Sequence, residues 1–184
     1  MLSRKNVCLL VVDIQEKLLP RIHNANGVLQ KTLLMIRAAR LLNLPVIWAE
    51  QYPKGLGKTV PEITTLLNDM TPFEKTSFSL LGDNTICNAV RDLQRDQILI
   101  TGIEAHVCVL QTALSAIELG YSAFVLKDAI GSQHQEECDT ALERMSHSGA
   151  HIATVEMTLF ELIQDAASPD FKAISTLLKE ASGR

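Results

Sequence analysis

The sequence predicts an α/β fold: a doubly wound, Rossmann-like and mostly parallel sheet with helices on both faces, three αβα layers in all. Five short runs are nearly continuous in Val, Ile, Leu and Phe, as strands buried on both faces require. Between them the apolar residues fall at helical spacing. Strand and helix alternate along the chain, the order that builds parallel sheets.

In chain order, Val7–Ile14 is the first predicted strand. Gly27–Leu42 follows as a helix, with Leu29, Leu33, Ile36 and Ala39 spaced close to 3.6 residues apart, and leads into the second strand, Leu44–Glu50. Asn84–Gln94 reads as a helix before the strand Gln97–Ile103, His106–Leu119 as a helix before Ser122–Ala129, and Gln135–His147 as a helix before His151–Val155. Glu156–Ala166 is helical, and Ser168-Pro169 opens a last helix to about Glu180. Gln51–Val60 breaks this alternation. Its Tyr52-Pro53-Lys54-Gly55-Leu56-Gly57 continues neither a helix nor a central strand, so a long loop is expected after the second strand's carboxyl end, where open α/β sheets bind ligands.

The 184 residues fit one domain, 1–184, without repeats or linkers. The formal charge is −4 and no basic run exceeds Arg4-Lys5, which predicts neither a nucleic-acid nor a membrane partner. The first apolar stretch is too short for a signal-peptide core, and no segment reaches the ~20 apolar residues of a bilayer span; a cytoplasmic location is expected. Cys8, Cys87, Cys108 and Cys138 are widely spread without a Cys-x-x-Cys pair, so free thiols are expected.

In a parallel sheet the carboxyl ends of the strands gather at one edge. Asp13, Glu50-Gln51, the segment Thr101–Cys108 and Lys127-Asp128 belong to such ends, and Lys75 lies in the segment 71–79 after the next helix. Gly102 permits a sharp turn, and Cys108 falls in the first turn of the next helix, where the dipole favours a thiolate and can draw its pKa below ~8.5. Taken singly, each of these residues has an ordinary structural role. A free cysteine usually packs strand against helix, Asp13 is also placed to cap a helix, and an isolated Lys75 is by default a solvated amine.

Together they carry a resemblance. Val11-Val12-Asp13-Ile14-Gln15 resembles the hydrophobic-Asp-x-Gln opening motif of the isochorismatase-like, or cysteine hydrolase, superfamily. Lys75-Thr76-Ser77-Phe78-Ser79 resembles its lysine segment, and Gly102-Ile103-Glu104-Ala105-His106-Val107-Cys108-Val109 its nucleophile motif. The similarity runs from about residue 5 to 165, and Glu50–Gly57 looks most like the isochorismatase domain-containing branch.

The resemblance implies Cys108 as nucleophile, Asp13 as proton acceptor and donor, and Lys75 as the charge that holds both in their reactive forms. It also implies a cis peptide at Ile103–Glu104, with the N–H groups of Glu104 and Cys108 forming an oxyanion hole. The reaction expected is hydrolysis of the C–N bond of a small, partly apolar amide or imide through a thioester. Loop positions give Leu18, Gln51, Tyr52, Leu56, Phe78 and His106 as the substrate-binding set. His106 is expected at the pocket wall or surface rather than in catalysis, because positions i and i+2 on a helix do not face each other.

No metal or other cofactor is expected. The nicotinamidases of this superfamily carry Asp-x-His with further histidines after the second strand, where this chain reads Glu50-Gln51-Tyr52 with no histidine between His23 and His106. His147 and His151 flank Gly149, with His151 opening a strand, and do not form a ligand pair. Two other functions remain open at this level: a vinyl-ether hydrolase of the true isochorismatase type, with Gln51 in the glutamine's place, and a non-catalytic binding protein. A homo-oligomer, dimer or tetramer, is expected by resemblance, with Gln111–Leu119 as a candidate interface.

Overall fold

The computed structural model describes residues 1–181. Six strands, β1 (Val7–Val12), β2 (Val46–Gln51), β3 (Phe73–Lys75), β4 (Gln97–Ile103), β5 (Ser122–Gly131) and β6 (His151–Ala153), form one sheet in the order β3-β2-β1-β4-β5-β6. Every pairing is parallel. This is the doubly wound order, in which the chain winds outward in both directions from the gap between β1 and β4.

Alternation along β1 shows why the sheet is buried on both faces. Val7, Leu9 and Val11 enter one hydrophobic cluster; Cys8, Leu10 and Val12 enter the other. The first cluster packs beneath α1 (Ala25–Leu41), α3 (Pro61–Leu66), α7 (Val155–Ile163) and α8 (Phe171–Ala181). The second packs beneath α4 (Asn84–Asp92), α5 (Leu110–Glu118) and α6 (Gln135–His147). Leu29, Leu33, Ile36 and Ala39 all lie on the buried face of α1, as their spacing predicts. At the start of α4, the Asp83 carboxylate accepts the N–H groups of Thr85 and Ile86 at 2.9 and 3.2 Å.

The structure departs from the expected elements in several places. β3 is an additional strand of three residues, too short and too polar to show a period, which pairs Glu74 with Glu50 and Lys75 with Gln51. The segment after β2 contains a single helical turn, α2 (Pro53–Leu56), which Pro53 starts and which closes through the Gly57 N–H on the Pro53 carbonyl. The expected helix from His106 is divided: a π-helical turn, Ala105–Val109, precedes α5. β5 continues to Gly131 through an irregularity in its register with β4, so Lys127-Asp128 does not end it. Asp128 instead accepts the Val155 N–H at 2.9 Å and faces Lys31 at 3.5 Å, away from Asp13.

Candidate active site

The gap between β1 and β4 is where chain direction allows side chains from both strand ends to converge. Asp13 leaves β1 in the left-handed region, with φ of 51°, which turns its carboxyl out of the strand's alternation. On the other side, Gly102 has φ of 128°, and a Cβ there would overlap the Val12 carbonyl. Only glycine lets β4 approach β1 this closely. The Ile103–Glu104 peptide bond is cis, and the π-helical turn that follows carries Cys108. The Cys108 carbonyl accepts the Thr112 hydroxyl at 2.7 Å, and Thr112 Oγ1 accepts the Leu80 N–H at 3.0 Å.

Lys75, at the end of β3, crosses beneath these groups. Its side chain has no exposure, and Nζ donates to Asp13 Oδ2 at 2.7 Å, Gln51 Oε1 at 2.5 Å, and the carbonyls of Ser77 and Phe78, both at 3.2 Å. A buried ammonium needs such a complete set of acceptors. Asp13 is equally buried, and its second oxygen, Oδ1, has no hydrogen bond of ordinary geometry. The Cys108 thiol interacts with this carboxyl, and the Glu104 backbone favours its thiolate.

Burial pushes the Asp13 carboxyl up to about 6, against the opposing pull of Lys75. Burial first, and then the Asp13 charge, push the Cys108 thiol up to about 12, while Lys75 and the Glu104 N–H favour the thiolate. This corrects the expectation of a thiol lowered by the helix dipole. Cys108 lies in a buried turn beside an anion, and those two effects outweigh the pull of Lys75 and the Glu104 N–H. At neutral pH the resting site therefore holds a thiol beside a carboxylate.

The residues expected to bind substrate are placed unequally. Tyr52 and Phe78 stand at the surface, 55% and 52% exposed, and each is tied to Lys75 through its backbone: the Tyr52 N–H donates to the Lys75 carbonyl at 2.9 Å and the Phe78 carbonyl accepts Nζ. A cleft of about 350 Å³ lies between Tyr52, Lys75, Thr76 and Asp83. His106 is half-buried, with Nδ1 2.9 Å from Ser132 Oγ and Nε2 3.8 and 3.6 Å from Glu104 and Glu137. It lines a second cleft of about 400 Å³ with Leu110 and Glu137. Leu18 packs against the α1-side core, and Leu56 ends the α2 turn half-buried. Gln51 departs furthest from its expected role. Both ends of its amide are engaged, Oε1 by Lys75 and Nε2 by the Thr76 carbonyl at 2.8 Å, so it holds the lysine rather than facing a ligand. Sequence reasoning missed the partners Gln15, Thr112 and Ser132, although Gln15 was visible two positions beyond Asp13.

Among the described residues no three His, Cys, Asp or Glu side chains are grouped to hold a metal ion, and no helix is long and apolar enough to cross a membrane.

A doubly wound sheet with a carboxyl, an amine and a thiol converging at its switch point defines a class of α/β proteins with hydrolase members. Comparison with known proteins makes this specific: residues 7–157 match the isochorismatase domain, and the chain belongs to that hydrolase family. Isochorismatase family protein 1B of Dictyostelium discoideum is 41% identical over 94% of this chain and 85% of its own length. Among solved structures, the MAR1 ribonuclease from Caenorhabditis elegans superposes with a TM-score of 0.91 at 35% identity, covering 96% of this chain and 91% of that one. The YcaC gene product of Escherichia coli, described as an octameric hydrolase of unknown specificity, superposes with a TM-score of 0.93 at 28% identity, covering 98% and 90%.

Proposed function

We propose that this protein is a metal-independent cysteine hydrolase that cleaves the C–N bond of a small amide or imide through a thioester on Cys108. The observation that carries the reading is the wholly buried Lys75–Asp13 pair, whose charges act on the thiol of a buried cysteine. A buried ion pair is a poor source of stability compared with an apolar pair of similar volume, so its presence beside a thiol favours a chemical role.

In the first half-reaction the Asp13 carboxylate accepts the thiol proton as the sulfur attacks the carbonyl carbon. A C–S bond forms and the carbonyl electrons move to oxygen, where the N–H groups of Glu104 and Cys108 serve as donors. The oxyanion collapses, the C–N bond breaks, and Asp13 returns its proton to the leaving nitrogen. Water then attacks the thioester carbonyl with Asp13 taking its proton, the C–S bond breaks, and that proton returns to sulfur. Lys75 stays charged throughout and favours the carboxylate over the acid.

The carboxyl's raised affinity for its proton also favours a second reading, vinyl-ether hydrolysis, in which protonated Asp13 acts as the acid without Cys108. Cys108→Ala separates the two. Loss of turnover and of an acyl adduct by intact mass, with an unchanged circular dichroism spectrum, supports the thiol mechanism; unchanged turnover overturns it. No ribonuclease role is proposed, since a chain of net charge −4 with no basic run beyond Arg4-Lys5 offers a polyanion little footprint. The YcaC octamer supports a homo-oligomeric assembly for this chain, which mass photometry tests directly.

A further inference from the structure

Gln15 has no part in the chemistry above, yet it is fully buried with its side-chain amide engaged on both ends. Its Oε1 accepts the Gln51 N–H at 2.8 Å, while Nε2 donates to the Gln51 carbonyl at 3.0 Å and to the Gly57 carbonyl at 2.6 Å. An amide that satisfies both polar groups of one backbone residue fixes where that residue sits and which way it faces. Gln51 is the residue whose own side chain bridges Lys75 Nζ and the Thr76 carbonyl. Gln15 also lies two positions beyond Asp13, so it joins the strand end that carries the carboxyl to the strand end that places the amine.

We propose that Gln15 is a positioning residue for Lys75, acting by clamping the Gln51 backbone so that the Gln51 side chain holds the lysine ammonium against Asp13. The inference rests on the reading of Cys108, Asp13 and Lys75 as the reacting set. A mere loop staple is the competing role, because Gln15 also reaches Gly57. The loop, however, has other ties: the Thr59 N–H on Glu50 Oε1 at 2.6 Å, the Glu16 N–H on the Lys58 carbonyl at 2.9 Å, and the Val60 N–H on the Ile14 carbonyl at 3.1 Å. Removing Gln15 leaves these in place, whereas it removes the side-chain clamp on both polar groups of the Gln51 backbone. Since Lys75 favours the charged forms of Asp13 and Cys108, a displaced lysine lets both hold their protons to higher pH.

The test is the rate of Cys108 alkylation by iodoacetamide, followed by peptide mass between about pH 5 and pH 9. It compares wild type, Gln15→Ala, Gln15→Glu, Lys75→Ala and the Gln15→Ala/Lys75→Ala double variant, with folding checked by circular dichroism. Gln15→Ala is expected to slow alkylation about tenfold at pH 7 and to move the acidic limb that Asp13 sets near pH 6 upward by about one unit. Gln15→Glu, which keeps an acceptor for the Gln51 N–H, is expected to retain part of the rate. In the Lys75→Ala background, Gln15→Ala is expected to add less than about twofold.

Equal slowing in both backgrounds overturns the proposal, because Gln15 then acts without Lys75; so does an unshifted limb in a folded Gln15→Ala protein. If Gln15→Ala does not fold, Gln15→Glu carries the same comparison in both backgrounds. A Lys75→Ala protein with wild-type reactivity removes this inference and the hydrolase reading together. A slow Lys75→Ala protein with additive Gln15 effects removes this inference alone.

Discussion

Lys75 Nζ lies 2.7 Å from Asp13 Oδ2 with neither side chain exposed to solvent. Everything proposed for the site depends on this contact, because each group is tolerable in the interior only while the other is present.

Lys75→Met is expected to destabilise the fold by about 3–5 kcal/mol, since it strands a buried carboxyl. Asp13→Asn should do the same to the ammonium. The double variant should lose less than the sum of the two, which chemical denaturation of all four proteins measures.

The pH dependence follows from Asp13. The folded chain holds its proton to about pH 6, whereas an ordinary carboxyl releases it near 3.8. The group's contribution to stability is thus greatest below about pH 4 and declines as pH rises through 6. Asp13→Asn should remove that part of the stability profile. Activity should run in the opposite direction, rising through about pH 6 as the carboxylate forms, so a kcat/KM profile with no acidic limb in this region counts against Asp13 as the base.

Gly102→Ala is expected to cost more than about 2 kcal/mol, because the new Cβ meets the Val12 carbonyl and the residue must hold φ of 128°. The same strain would part β1 from β4 and thereby Asp13 from Cys108. Thermal unfolding and iodoacetamide labelling should therefore fall together.

Asp83→Ala probes a region outside the site. Losing the cap of α4 should cost about 1 kcal/mol and lower Tm by about 2–4 °C, with Cys108 labelling unchanged.

Much of this molecule is legible in its sequence, for reasons that are local. The apolar runs and the 3.6-residue spacing of Leu29, Leu33, Ile36 and Ala39 reflect burial that each element imposes on its own residues. Asp13 and Cys108 stood out because a carboxyl and a thiol follow buried strands, and the isochorismatase resemblance added Lys75. β3 escaped notice because three residues with a polar centre show no period; pairing with β2 makes it a strand.

The strand order, the role of Gln51 and the protonation of Cys108 were decided by tertiary structure. Gln51 reads as a pocket residue in the linear chain, and only the register of β2 with β3 turns its amide toward Lys75. Cys108 reads as an activated thiolate at a helix start. Folding buries it beside the Asp13 charge, and burial with like charge outweighs the pull of Lys75 and the Glu104 N–H. Local pattern alone puts Asp13 and the Thr101–Cys108 segment at strand ends, but it shows neither the three-residue strand that carries Lys75 nor the true end of β5. How those groups hold one another depends on distances between residues far apart in the chain, and electrostatic energy in a desolvated interior varies steeply with those distances.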